Sequence, residues 1–572
     1  MFLVISFTII AILIYERSSN AYAISNVNNK IILILLLLFV QKYHVYAQTY
    51  NIILGRPTEQ SITVSIMFDQ STLYFIEYGT QSISLDNTTS IYNALPNFPD
   101  EVLLQNLNAN SRYYYRIKYK LINSSNYYST ETYSFITQRI TGSTYTFTLE
   151  ADEHLYDIKG VRNMFDITLA NQAKDKPDFM LSLGDIFGDD HEWATITAGE
   201  LDNLHKNYRP ILGNICHSIP FYVCLGNHEG ERKYYFSHPP PPNNLAINGT
   251  IARKKYFPNP SPNSFYSGNS SVENYGIGYP ENYYAWKWGD ALFIVIDAYR
   301  YDSRADTSNK PQGWDWTLGI NQYQWLKNTL ETNNSKYKFV FAHHVRGEGR
   351  GGITNAIQGE WGGYQRILSG TTTTGSGYTF PTNRPASEGW TKPIHQLFKE
   401  NNVNVFFQGH DHVFAHEVLD SITYQSLPMA ADSTYRIGFT ANAGAYLSDT
   451  LDGTGHIKVT VSPAYVKIDY IRAYLPADTI NGQHKNGEVA FSYNIRNKNT
   501  YSFIGDGNWS DSNNWVEKTK PPVNLTSGNS IYIDPLPGGQ CILDTTQNIL
   551  QGANIIVSPN KKFIVPGNLN IQ

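Results

Sequence analysis

Cysteine is scarce in this chain: Cys216, Cys224 and Cys541 are the only three in 572 residues. No CxxC pair exists, which excludes the usual cysteine-ligated zinc and dithiol redox motifs. An odd count cannot pair fully within one chain, so Cys216 and Cys224 read either as a pair or as small buried hydrophobes. Charge is sparse as well, at 16% of residues against about 25% in ordinary domains. The net charge of −5 and the lack of a long basic run give no footprint for nucleic acid. Too little Glu, Lys and Ala is present for a coiled coil. What the chain has instead is aromatic residues, 14% of the total and 42 of them Tyr, amid Thr, Ser, Asn and Gly. That mixture rules out a disordered chain and points to many strands with short turns.

Two apolar runs precede the body, at residues 2–15 and 31–40. The second, IILILLLLFV, has ten residues, too few to cross ~30 Å of hydrocarbon as a helix. It reads as the apolar segment of a signal peptide, with cleavage after the small-residue pattern Val45-Tyr46-Ala47. A membrane hairpin made from both runs is the rival reading. Residues 1–47 are therefore expected to be a removed leader. The mature chain would be secreted, periplasmic or at the cell surface, with no stable transmembrane span.

Residues 48–140 read as a β-sandwich. Ile62-Thr63-Val64-Ser65-Ile66 alternates with period two, and short strands recur every 8–12 residues. The stretch Leu104 to Ile117, a leucine pair, a turn and alternating tyrosines, resembles the corner of a fibronectin type III-like domain, where a Tyr hydroxyl bonds back to the turn. From 141 to 498 strands alternate with helical stretches, the pattern of a layered α/β domain. A helix is predicted over 159–173, and Gln322, Trp325 and Leu326 mark an amphipathic helix with the Trp in the core. The Pro-, Asn- and Ser-rich segment 237–271 is expected to be an irregular insertion, and the Gly- and Thr-rich 347–384 a loop near the site. Residues 499–572 read as a small all-β module resembling the start of a β-solenoid.

Polar clusters follow apolar strands at five places: Asp152-Glu153-His154, Gly184-Asp185, Gly226-Asn227-His228-Glu229, His343-His344 and Gly409-His410-Asp411-His412. In α/β sheets ligands bind beyond the carboxyl ends of strands. Imidazole, carboxylate and amide oxygens suit divalent ions such as zinc, manganese or iron. Alternate residues share a face, which puts Asp152 with His154 and His410 with His412. The donors exceed the four of one tetrahedral zinc, which suggests two ions sharing Asp185. A pair ~3.5–4 Å apart suits phosphoryl transfer.

Taken in order, these motifs resemble the calcineurin-like metallophosphoesterase superfamily across residues 145–474, and the preceding sandwich resembles purple acid phosphatase-like members. The resemblance implies a four-layer α/β/β/α domain and an exported hydrolase acting on phosphate esters, with phosphomonoesters favoured over phosphodiesters or nucleotide pyrophosphates. Asp152, His154, Asp185 and His412 would hold one ion. Asp185, Asn227, His343 and His410 would hold the other, with His344 the rival for His343. His228 would protonate or stabilise the leaving oxygen, and a hydroxide bridging the metals would attack. The Tyr that purple acid phosphatases carry shortly after Gly-Asp is missing from Gly184-Asp185-Ile186-Phe187-Gly188, which argues against an iron–tyrosinate centre. Glu229 is expected to orient a neighbour and Glu153 to point away from the metals. His191 and His416 read as a surface and a structural residue, and Arg346 and Arg350 as exposed loop residues, with contact to phosphate the rival reading. The partner is then a phosphorylated small molecule. The rival class is a non-catalytic surface protein, and cell-surface or glycan contact through the β modules fits either reading.

Overall fold

A computed structural model describes residues 48–301, 318–343, 391–437 and 449–572, apart from 158, 188 and 189, with a few isolated positions between these spans. The expected leader at 1–47, His344, Arg346, Arg350, the side chain of His191 and nearly all of 347–384 lie outside the described residues.

The amino-terminal region is two facing antiparallel sheets. Tyr50–Gly55, Ile62–Phe68 and Asp100–Leu104 form one, and the other is built around Thr72–Gly79 and Arg112–Leu121. Alternate side chains such as Ile62, Val64, Ile66, Tyr115 and Ile117 fill the space between them. The predicted corner is present: the backbone N–H of Asn108 donates to the Tyr113 hydroxyl at 3.0 Å.

The central region stacks two sheets face to face. The first runs in the order Phe221–Val223, Met180–Ser182, Tyr145–Glu150, Thr454–Val461, Val466–Ala473, Val489–Ile495. The second has eight strands, among them Ala291–Val295, Tyr337–Ala342, Val405–Gln408 and Ile422–Ser426 side by side and parallel. Tyr145, Phe147 and Leu149 point into the layer between the sheets, against Phe293, Phe339 and Phe407. Helices cover the outer faces, Arg162–Asp175 and Ala198–Cys216 on the first sheet, Gly319–Glu331 and Ile394–Glu400 on the second. The four layers are those the motifs imply. With helices outside and a second sheet inside, these strands are apolar on both faces, as parallel strands must be.

Three expectations change. The predicted helix 159–173 begins and ends later, at Arg162–Asp175. Segment 237–271 is not wholly irregular, because Asn244 caps a helix, Leu245–Tyr256, through an N–H of Ile247 donated to its Oδ1 at 3.0 Å. Trp325 is only half-buried and leans on Tyr283. All three cysteines are buried free thiols.

Past residue 499 the chain winds through three rungs. Thr500–Phe503, Ser530–Ile533 and Asn554–Val557 make one parallel face, and two further three-stranded parallel sheets make the others. Three rungs bury a core of their own around Phe503, Trp509, Trp515 and Ile531.

The sandwich is tied to the helix Ala198–Cys216 by a buried guanidinium. Arg209 donates from Nε to Asn51 Oδ1 at 2.6 Å, from Nη1 to Ser65 Oγ at 3.1 Å and from Nη2 to the Ser65 carbonyl at 2.7 Å. Burial lowers its pKa to about 9. Among the described residues no helix is long and apolar enough to cross a membrane.

Candidate metal centre

The parallel strands of both sheets end at one rim, and the polar motifs converge there. Backbone bonds stitch the rim together: Asp152 N donates to Gly184 O at 3.1 Å and Gly409 N to His343 O at 2.9 Å. Asp152, His154, Asp185, His410 and His412 all adopt positive φ, between 45° and 68°. Left-handed backbone is costly for such residues and persists where the surroundings over-determine it. The glycines serve close approach more than turning. A Cβ on Gly226 would lie 2.3 Å from Asp185 Oδ1, and one on Gly409 would lie 2.8 Å from Asp152 Oδ2.

The side chains meet in overlapping groups. Asp152, His154 and His412 form one, and Asp185, His343 and His410 form another. His154 Nε2 lies 3.0 Å from His412 Nε2. Asp152 Oδ1 is 3.5 Å from His412 Nε2 and 3.8 Å from His343 Nε2. Asp185 Oδ2 is 3.0 Å from His343 Nε2 and 3.8 Å from His154 Nε2, so this one carboxylate touches both groups. His410 Nδ1 is 3.3 Å from His343 Nε2. Burial opposes charge on Asp185, but His343 and His228 hold its carboxyl well below the usual range.

A divalent ion is what this set fits. Asp152 Oδ1 and Asn227 Oδ1 are buried without a hydrogen-bond partner, a cost of about 1–3 kcal/mol each unless something binds there. Imidazole nitrogens that crowd one another and an acceptor-only carboxylate share no proton economically, but all can donate lone pairs to one cation.

His228 sits at the edge of the first group. Its Nε2 is 3.9 Å from Asp185 Oδ2, and its Nδ1 is 2.6 Å from Asp190 Oδ1. Burial lowers its pKa, yet the charges of Asp185 and Asp190 prevail and raise it to about 9. His154, Asp185 and His228 also lie close enough to form a ligand triplet, so geometry by itself leaves two roles for His228.

Asp157, Tyr156, Asp190, Tyr299 and Glu150 escaped the sequence reading, whereas Glu229, Glu153 and His416 were named in it. Asp157 Oδ2 is 3.2 Å from His154 Nδ1, and the Tyr156 hydroxyl is 3.1 Å from the same nitrogen. An acceptor there fixes the ring so that Nε2 offers its lone pair inward. Burial raises and His154 and Lys159 lower Asp157, with a net fall. Asp190 pairs with His228, its Oδ1 2.6 Å from Nδ1, and no local pattern in the sequence marks it. Tyr299 is buried with its ring centroid 6.1 Å from that of His343. Glu229 holds the loop of Asp185, accepting from the N–H groups of Asp185 at 3.0 Å, Ile186 at 2.6 Å and Phe187 at 3.2 Å. Glu150 and Glu153 lie below the rim with no partner for either carboxyl group. Burial, opposed by Ser182 and reinforced by Asp152 and Glu229, pushes Glu150 up to about 8. His416 is 3.3 Å from Asp449 and packs on Tyr493.

The calcineurin-like phosphoesterase family model matches residues 146–414. No curated protein matches the chain. Among solved structures, one described as PhoD superposes with a TM-score of 0.52 at 16% identity, covering 85% of this chain and 94% of that one. Purple acid phosphatase PPD1 from yellow lupin (Lupinus luteus) seeds superposes with a TM-score of 0.50 at 14% identity, covering 79% of this chain and 74% of that one. At such identities these two establish shared architecture. The family match and the converging Asp and His groups mark residues 146–414 as a calcineurin-like phosphoesterase domain, a hydrolase fold for phosphoester bonds.

Proposed function

We propose that the chain is an exported phosphatase that hydrolyses phosphomonoesters at two divalent ions of zinc, manganese or iron type. The observation that carries this reading is the position of the Asp185 carboxylate, 3.0 Å from His343 of one group and 3.8 Å from His154 of the other. In it, Asp152, His154, Asp185 and His412 hold one ion, and Asp185, Asn227, His343 and His410 hold the second. When bound, such a pair supplies Lewis-acid stabilisation of the phosphoryl group and acidifies water at neutral pH. The protein's own part is positional and protonic. Glu229 fixes the turn that presents Asp185, and Asp157 fixes the tautomer of His154. Asp190 at Nδ1 leaves the Nε2 proton of His228 facing the rim, where it is delivered to the leaving alkoxide as the ester bond breaks. We assign residues 1–47 to a leader, 48–140 to the sandwich, 141–498 to the catalytic domain and 499–572 to the coil.

The test is to express the chain, quantify its metals and assay p-nitrophenyl phosphate against bis-(p-nitrophenyl) phosphate. Two ions per chain and faster monoester hydrolysis are expected. Asp185→Asn should abolish turnover and lower metal content together. Full activity with intact metal in that variant overturns the shared-carboxylate reading, and hydrolysis of the diester alone overturns the monoester preference.

A further inference from the structure

The leaving group of a phosphomonoester begins at the oxygen that His228 serves, so whatever borders His228 meets that group first. Two rings pack on it among the described residues. The His154 centroid is 5.2 Å away at 78°, and the Tyr156 centroid is 5.8 Å away at 53°. His154 and Tyr156 are themselves 5.5 Å apart, so the three rings meet in a triangle. His154 is buried and a candidate ligand. Tyr156 is only half-buried, and His228 beside it keeps 16% of its side chain exposed.

The polar end of Tyr156 is already engaged. Its hydroxyl oxygen is 3.1 Å from His154 Nδ1, which fixes the ring beside His228. What the side chain has left to offer is ring surface. Beyond the other nitrogen of His228 the surroundings differ. Nδ1 faces Asp190 at 2.6 Å, and Asp190 Oδ2 is 3.4 Å from the Tyr235 hydroxyl. Tyr235 is buried among Leu201, Leu245 and Ala246, so that ring belongs to the core.

Distance then selects the substrate class. A hydrogen bond from Nε2 places the leaving oxygen about 2.7–3.2 Å away. In an aryl ester the ring starts at the next atom, within reach of Tyr156. In a nucleotide the base stands a whole sugar farther out. We propose that Tyr156 is a specificity residue that favours aryl phosphomonoesters, the leaving ring lying against its own. The proposal rests on the phosphomonoesterase reading and names its substrate class.

The metal-loaded full chain and its variants are assayed with phenyl phosphate, glycerol 2-phosphate and adenosine 5′-monophosphate, and kcat/KM is compared as ratios within each variant. Tyr156→Leu should lower the phenyl-to-glycerol ratio about three- to tenfold, chiefly through KM, the scale of one aromatic pair. Tyr156→Phe keeps the ring and loses the hydroxyl, and should hold the wild-type ratio even where its absolute rate falls. A residue that only positioned His154 would slow all three substrates alike and leave the ratio unmoved. Tyr156→Met serves if the Leu variant does not fold. The proposal is overturned if the Leu variant keeps the wild-type ratio, if Tyr156→Phe loses it as fully, or if the wild type has a lower KM for the nucleotide than for phenyl phosphate. A folded, metal-loaded wild type that cleaves none of the three overturns the phosphomonoesterase reading, and this one with it.

Discussion

The metal rim and the carboxy-terminal coil treat polar groups in opposite ways. At the rim, five ligand candidates hold left-handed backbone, and buried oxygens of Asp152, Asn227, Glu150 and Glu153 find no partner in the protein. In the coil the corresponding needs are met locally. Trp515 Nε1 donates to the Trp509 carbonyl at 2.8 Å, and Asn570 and Asn548 each donate Nδ2 to the Asn one rung below, at 2.7 and 2.5 Å. One region stores unsatisfied donors and acceptors for a ligand, and the other spends them on itself. Strain and orphaned polarity of this kind mark functional sites, because packing alone would select against them.

The contrast can be broken by substitution. After Asp185→Asn, the largest effect is expected from His228→Ala, which should lower the turnover rate by about 10²–10⁴ while metal analysis reads as wild type; metal lost in step with rate would move His228 into the ligand shell. In the coil, Trp515 is buried, with ring centroids 5.4 Å from Phe503 and 4.7 Å from Trp509. Trp515→Ala should cost about 3–5 kcal/mol of coil stability, seen as early proteolysis of that module, with phosphatase activity retained. Asp157→Ala sharpens the comparison from the other side: it should weaken metal binding by about 10–100-fold in a chelator competition without lowering the melting temperature of the metal-free protein. The smallest effect belongs to Asn548→Ala, which breaks the exposed ladder and should shift coil stability by about 0.5–1.5 kcal/mol, measured by denaturant unfolding.

What the sequence disclosed followed from how local the signals were. Each rim motif occupies two to four adjacent positions after an apolar strand, so Asp152, Asp185, Asn227 and His412 were legible in one dimension. The residues that position them were not. Asp157 and Asp190 are acids among many acids, and only the fold shows which carboxylate faces a ring nitrogen. The helix Leu245–Tyr256 was hidden for a related reason. Its buried face includes Thr250 and Arg253, and Arg253 is paired with Glu231 at 2.6 Å, so the side that faces the core does not look apolar. The coil was underestimated because its strands are two to four residues long and its rungs unequal: Thr500 pairs with Ser530, and Ser530 with Asn554.

Arg209 has a consequence for how the chain can be divided. Its guanidinium belongs to a helix of the catalytic region, yet three of its hydrogen bonds end on Asn51 and Ser65 of the sandwich. The sandwich therefore acts as the solvation shell of a cation that its neighbour cannot shield alone. A chain begun at residue 141 would expose that charge's apolar surroundings along with it. The two regions look modular in composition, yet this guanidinium and its partners join them across the boundary.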